Sequence, residues 1–411
     1  MHFGGTIAYL RVGLACLALA PALSGCTTVG MAEASANAGS GVTASISRGA
    51  SNVGGLFSSG PEQAALTTRI FVASTRKGGN HSTELTPGAA ARFSLDTITA
   101  PPGHRPGQVE RPSFGSANSD SHFTLVGHSN MEEDDFKAQI AANLSGRIGA
   151  NRDVLVYVHG FNTSLDDARF RLAQIVVDGR FGGVPVLFTW PSKSALLSYG
   201  ADKESATASR DAYLTLLMDL ADTPGVGRIH ILAHSMGTWL TMETLRGAAL
   251  AGEADLKGRL GNVMLGAPDI DLSVFKQQIA KLDSSHFSIY VSKGDRALQL
   301  SAGIQGDRRL GAIDPGSDRD RELIEGLGVR VYDISDLSSG LIGHDNYADA
   351  PQVVRQIGAS IATPRAGEAE TQSVIDAGAD RSVRPPQPAP GTVAASDLPP
   401  LEPAQPVVQA R

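Results

Sequence analysis

Ser235 stands in the run Ala233-His234-Ser235-Met236-Gly237. It comes directly after the apolar stretch Ile229–Ala233 and directly before a helical pattern over Met236–Leu250. A serine on such a sharp strand-to-helix turn has its hydroxyl raised above the sheet as a nucleophile. The turn leaves room only for small residues two positions before and two after it. Ala233 and Gly237 fill those slots, alanine being a departure from strict glycine to the next smallest residue.

At neutral pH serine holds its proton too tightly to attack a carbonyl. It needs a base within hydrogen-bond reach, and the base needs an orienting acid. Where such an elbow tops a parallel sheet, the chain order is serine, acid, histidine. Of ten histidines only His286 and His344 follow Ser235. His286 opens the strand-like run ending at Val291, which places it at the sheet edge opposite the serine. His344 follows the last strand-like run, Val329–Ile334, on the serine's own edge, and is the expected base. For the acid, Asp295 follows the strand before the last. Asp269 and Asp271 follow the strand before that, also on the active edge, and any of the three could instead cap a helix. Strand position favours Asp295 and leaves Asp269 as the alternative acid. The developing oxyanion requires two aimed backbone donors. Those expected are the N–H groups of Met236 and of Phe161, the latter in His159-Gly160-Phe161-Asn162 after the run Val154–Val158.

Other conspicuous residues read more plainly. His234 is expected to be packed or at a rim, and Trp190 and Trp239 to fill the core or a pocket wall. His122 and His128 are not spaced with carboxylates as zinc ligands are. The glycines of residues 36–60 lack the strand–helix context of a phosphate loop. No metal and no cofactor are expected.

The elements that must position these residues alternate regularly. An early strand spans Arg69–Ser74, with short strands at Ala91–Leu95 and His122–Gly127 and a polar helix near Glu132–Leu144. Strands then follow at Val154–Val158, Val186–Thr189, Ile229–Ala233, Asn262–Leu265, Phe287–Val291 and Val329–Ile334. The helices between and after them are Ser164–Val177, Ala206–Leu220, Met236–Leu250, Leu272–Ala280, Arg296–Ser301 and Ala348–Ile361. Apolar strands alternating with helical periods predict an α/β fold, a mostly parallel sheet covered on both faces. Only about 20 residues separate the strands at Asn262–Leu265 and Phe287–Val291, so no large cap domain is expected. The active edge should be covered by polar loops such as Ser192–Ser205 and Gly303–Asp320.

The chain has 411 residues and a net charge of −7, with no long basic run, which argues against nucleic acid as a partner. Its ends differ from its middle. Arg11 precedes an apolar stretch, Val12–Leu23, too short to span a bilayer comfortably. That stretch ends in Leu23-Ser24-Gly25-Cys26, which resembles a bacterial lipobox. Residues 1–26 are therefore read as a lipoprotein signal with Cys26 as the lipidated residue. Cys16 would leave with the signal, and no disulfide or cysteine metal ligand would remain. Thr27 rather than aspartate follows Cys26. By resemblance to proteobacterial lipoprotein sorting, this implies an outer-membrane anchor facing the periplasm. Residues 27–65, rich in Gly, Ser and Ala, read as a flexible tether. Residues 66–361 read as the folded domain. Residues 362–411, with Pro385-Pro386 and Pro399-Pro400, read as a disordered tail.

Taken together, Val154–Asn162, Phe188-Thr189-Trp190-Pro191, Ala233–Gly237, Gly266-Ala267-Pro268-Asp269, Ser292–Leu298 and Gly343-His344 resemble a bacterial α/β-hydrolase family of unknown function. That family lies in the esterase/lipase-like superfamily, and the resemblance spans residues 68–360. It implies the α/β-hydrolase fold and a Ser–Asp–His hydrolase, and it keeps Asp269, in the Ala-Pro-Asp motif, among the residues of interest. The expected function is a membrane-tethered serine hydrolase acting on a small-molecule or lipid-like ester, with thioesters and amides as related substrates. The contrasting reading is an envelope binding or scaffold lipoprotein on a hydrolase fold.

Overall fold

The computed structural model describes residues 65–77, 90–193, 198–305, 308–337 and 344–362. Residues 1–64, with the expected signal, Cys26 and most of the expected tether, and residues 363–411 of the expected tail lie outside the described residues.

Nine strands form one sheet among the described residues: β1 (Leu66–Ser74), β2 (Arg92–Ala100), β3 (Thr124–Met131), β4 (Val154–Val158), β5 (Val184–Thr189), β6 (Ile229–His234), β7 (Leu260–Gly266), β8 (Phe287–Val291) and β9 (Arg330–Asp333). Their order across the sheet is β3-β2-β1-β5-β4-β6-β7-β8-β9. β1–β2 and β2–β3 pair antiparallel, and every other pairing is parallel. The helices are α1 (Glu133–Leu144), α2 (Leu165–Asp178), α3 (Tyr199–Ala208), α4 (Arg210–Asp222), α5 (Met236–Leu250), α6 (Leu272–Ile279), α7 (Arg296–Gln305), α8 (Asp318–Leu327), α9 (Asn346–Asp349) and α10 (Pro351–Ala362).

The central strands β4 to β8 are buried throughout and mostly apolar because both faces of the sheet are covered. In β4, Val154, Val156 and Val158 join a core that also takes side chains from α1, α4, α5, α6 and α8. Leu155 and Tyr157 point to the other face and join a core with α2, α9 and α10. β4 lies between β5 and β6. The chain therefore leaves β4 in one direction and returns on its other side, opening a crevice beyond the strands' carboxyl ends. β7 and β8 are joined only by α6 and a 3₁₀ turn at Ser284–His286, so no cap enters there.

The structure departs from the sequence expectations at the rim of that crevice. The single helix expected over Ala206–Leu220 is two helices, α3 and α4, meeting at Ser209. Its hydroxyl donates to the Ser205 carbonyl (2.9 Å) and lies 2.8 Å from Thr75 Oγ1. α3 begins at Tyr199, inside the stretch expected to be polar loop, because Tyr199, Asp202, Ser205 and Ala206 are buried on one side. α8 takes up the end of the other expected loop. Ser317 caps it, and it is strongly charged, with Ile324 as its buried apolar residue and left-handed Gly328 as its C-cap, so its period is faint in the sequence.

Candidate active site

Ser235 sits between β6 and α5 with φ 50° and ψ −120°, a strained conformation for a residue bearing a side chain. The sheet enforces it. The Ser235 N–H donates to the Gly266 carbonyl on β7 (2.9 Å), and the Ser235 carbonyl accepts from the Asp269 N–H (3.3 Å). A Cβ on Gly237 would lie 2.4 Å from the His159 carbonyl oxygen, so the small residue two after the serine is a steric necessity. The β4–β6 register pairs Val158 with Ala233 and so brings Gly160 beside the elbow, where a Cβ would fall 2.9 Å from Ser235 Cβ.

His344, Asp295 and Ser235 come to the same edge. His344 Nδ1 lies 2.6 Å from Asp295 Oδ2, and His344 and Ser235 line one cavity. The Asp295 side chain is fully buried, and its other oxygen accepts the Leu298 N–H (3.0 Å) in the first turn of α7. The two readings of this aspartate, acid partner and helix cap, therefore describe one oxygen each. Burial lowers the His344 pKa, but the bond to Asp295 and the charges of Asp295, Asp345 and Asp269 raise it further, leaving it above its ordinary value. The Asp269 carboxylate points elsewhere. Tyr199 donates to its Oδ2 (2.6 Å), Ser301 donates to its Oδ1 (2.7 Å), and Arg309 Nε lies 3.4 Å away. Asp271 caps α6 through the Ser273 and Val274 N–H groups. His286 bonds the Gly261 carbonyl (2.7 Å) near the start of β7, at the opposite edge.

Phe161 follows β4 and lines the cavity, and Met236 opens α5. As the first helical residue, Met236 has an N–H with no intrahelical acceptor. The loop carrying Phe161 is held from below by two buried side chains. Arg76, 1 % exposed just beyond β1, donates to Thr189 Oγ1 (2.9 Å), the Ser192 carbonyl (3.4 Å) and the Thr163 carbonyl (2.8 Å). His159 lies flat against Trp190, whose indole N–H donates to the His159 carbonyl (3.0 Å). Burial, with the Arg76 charge, pushes His159 down to about 3, so the ring is neutral and braces the loop. His234 is likewise buried and lowered to about 4, first by burial and then by the His344 charge. It stacks on Tyr347 (4.5 Å) and bonds the His344 carbonyl (3.2 Å), steadying the segment that carries His344.

The cavity measures about 480 Å³. Its lining includes Phe161, Tyr199, Asp269, Leu298 and Ser301, together with Val109, Arg111, Tyr157, Arg171 and Tyr347. Residues 132–361 match the family described as alpha/beta hydrolase of unknown function (DUF900). The chain belongs to that family. No curated protein matches this DUF900 hydrolase by sequence. Among solved structures, the catalytic core of acetyl xylan esterase from Trichoderma reesei is 11% identical, with 51% of this chain and 96% of that chain covered and a TM-score of 0.31. An esterase from Pyrobaculum calidifontis is 18% identical, covering 53% and 78%, at 0.31. An esterase from Rhizomucor miehei is 12% identical, covering 72% and 83%, at 0.34. These likenesses are too distant to carry a substrate to the DUF900 chain.

Several residues of the DUF900 site gave no readable signal in the sequence. Arg76, Tyr199, Ser301 and Arg309 sit in ordinary local contexts and acquire meaning only through partners far along the chain. A weak signal existed for Arg76, a cation directly behind the buried run Ile70–Ala73. The β2–β3 connection, which delivers Val109 and Arg111 to the cavity, contains neither a strand nor a helix.

Proposed function

We propose that this α/β hydrolase is a serine hydrolase that cleaves carboxylic esters through an acyl-enzyme. The observation that carries the reading is the 2.6 Å contact between His344 and buried Asp295, in the cavity that also holds the strained elbow serine. His344 takes the Ser235 hydroxyl proton as Oγ bonds the substrate carbonyl carbon. The same proton then goes to the leaving alcohol oxygen as its bond to carbon breaks. Water repeats the sequence to release the acid and restore Ser235. Asp295 holds the His344 tautomer and offsets its positive form, and the N–H groups of Phe161 and Met236 receive the oxyanion. The lipid anchor at Cys26 belongs to this proposal on the strength of Leu23-Ser24-Gly25-Cys26, and attachment to the outer membrane on that of Thr27.

The test is covalent labelling by a fluorophosphonate together with ester turnover. Wild-type protein should be labelled at Ser235. Ser235→Ala should lose labelling and fall about 10³-fold or more in turnover while melting normally, since the hydroxyl contributes little packing. Full activity in the purified variant would end the reading.

A further inference from the structure

Three elements bring hydroxyl and carboxylate groups to one wall of the cavity: Tyr199 from α3, Asp269 from the turn after β7, and Ser301 from α7. Asp269 is 4 % exposed and accepts from Tyr199 (2.6 Å) and Ser301 (2.7 Å), while the two hydroxyl oxygens also lie 3.0 Å from each other. That makes three short oxygen–oxygen contacts and only two hydroxyl protons to fill them. Both protons are best used on the carboxylate, since a charged acceptor makes the stronger bond. The hydroxyl oxygens then offer the cavity lone pairs and no donor. Arg309, buried behind them with Nε 3.4 Å from Asp269 Oδ1, balances the carboxylate charge. Lys203 on α3 lies within electrostatic reach of both Asp269 and Arg309. With Arg309 offsetting Asp269, the wall carries no net negative charge to favour an ammonium group, whereas a neutral O–H would meet only acceptors.

We infer that the Tyr199–Asp269–Ser301 wall is a specificity subsite that accepts a hydrogen bond from a neutral hydroxyl on the substrate, making hydroxylated esters the preferred class. The inference deepens the serine-hydrolase reading and rests on it for turnover, though binding tests it independently. A site built to pair a substrate hydroxyl disfavours the analogue that lacks it, because its polar groups are left unmatched.

The experiment compares ethyl 3-hydroxybutyrate with ethyl butyrate and glycerol monobutyrate with propyl butyrate, so that the hydroxyl is tried on either side of the ester. Ethyl 3-aminobutyrate supplies the ammonium counterpart. In the full-length protein one hydroxylated member should be favoured about tenfold or more in kcat/KM, chiefly through KM. Ser301→Ala should shrink that ratio, Ser301→Thr should keep it, and the Tyr199→Phe/Ser301→Ala pair should bring it to about one. Melting curves would establish that each variant is folded. Calorimetry on Ser235→Ala should give the same ranking in Kd without any turnover. Equal ratios in the wild type, a preference that survives the double variant, or preference for the ammonium ester would each overturn the subsite. Absence of both turnover and fluorophosphonate labelling would instead count against the serine mechanism. In that case the calorimetric ranking alone would decide for or against the subsite.

Discussion

Asp295 binds the Leu298 N–H through one oxygen and His344 through the other, so the helix start holds the carboxylate at a fixed angle to the imidazole. Asp295→Asn should preserve the cap, because an amide oxygen can accept the same N–H, while leaving His344 in the wrong tautomer. A loss of about 10⁴-fold in kcat is expected on a folded protein. Asp269→Asn should affect the choice of substrate far more than the rate with a simple ester, since its oxygens face Tyr199 and Ser301. Kinetics run beside melting curves would check both, and the reverse ranking would move the acid one strand earlier. As the proposed base, His344 must be neutral to accept the Ser235 proton, and its surroundings raise its pKa. The acid limb of kcat/KM should therefore lie above the ordinary histidine value of about 6.5. Asp345, exposed beside the site, is one of the charges that raise it, and Asp345→Asn should move the limb to lower pH.

At the scale of elements, the connection from β2 to β3 is a strap fastened across α2. His104 Nδ1 lies 2.9 Å from Glu110 within the strap, and His104 Nε2 lies 2.9 Å from Asp178 at the end of α2. Phe123 packs edge-on against the ring. A neutral imidazole can donate from only one nitrogen, so two carboxylates select the charged form. Burial lowers the His104 pKa, but the bonds to Asp178 and Glu110 more than offset this and raise it. For Asp178, burial raises the pKa, and the bonds from His104, Gln174 and the Gly107 N–H bring it below its ordinary value. A raised folded pKa means that the His104 contribution is complete below about 6.5 and is lost as pH rises through the higher folded value. The lowered Asp178 value means that its contribution is present above about 4 and is lost as pH falls through the folded value. The strap should thus be tightest between those limits. His104→Gln should lower Tm by several degrees near pH 6 and by clearly less at pH 9. Because the strap carries Val109 and Arg111 to the cavity, KM should rise in parallel. Thermal melts across pH with matched kinetics would check this, and an equal loss of Tm at both pH values would discard the imidazolium clamp.

For the whole molecule, the proposed chemistry lies in the sheet domain and the proposed anchor in the chain that precedes it. No helix among the described residues is long and apolar enough to cross a membrane. The proposed anchor would hold the protein through acyl chains on Cys26, more than one of them, since a single chain binds only marginally. Cys26→Ser should release the protein from the membrane fraction or leave its signal uncleaved. Fractionation and mass spectrometry of the N-terminal peptide would check it, and an unmodified, soluble wild-type protein would refute the anchor.

The elbow and the sheet were legible in the chain because both depend on local constraints. The tight turn has no room for a Cβ at Gly237, two after Ser235, and buried parallel strands favour apolar runs such as Val154–Val158. Chain order and strand polarity placed Ser235, His344 and the candidate acids Asp295, Asp269 and Asp271 at one edge, and in the structure His344 lies against Asp295 there. The substrate-facing walls were decided only by tertiary contact. Tyr199 meets Asp269 across 70 residues and Ser301 across 102, and Arg76 reaches Thr163 across 87. His104 meets Asp178 across 74 residues. Such pairs leave no periodicity, because each side chain needs only a suitable partner at a fixed point in space, and the folded sheet, not the neighbouring sequence, supplies that point.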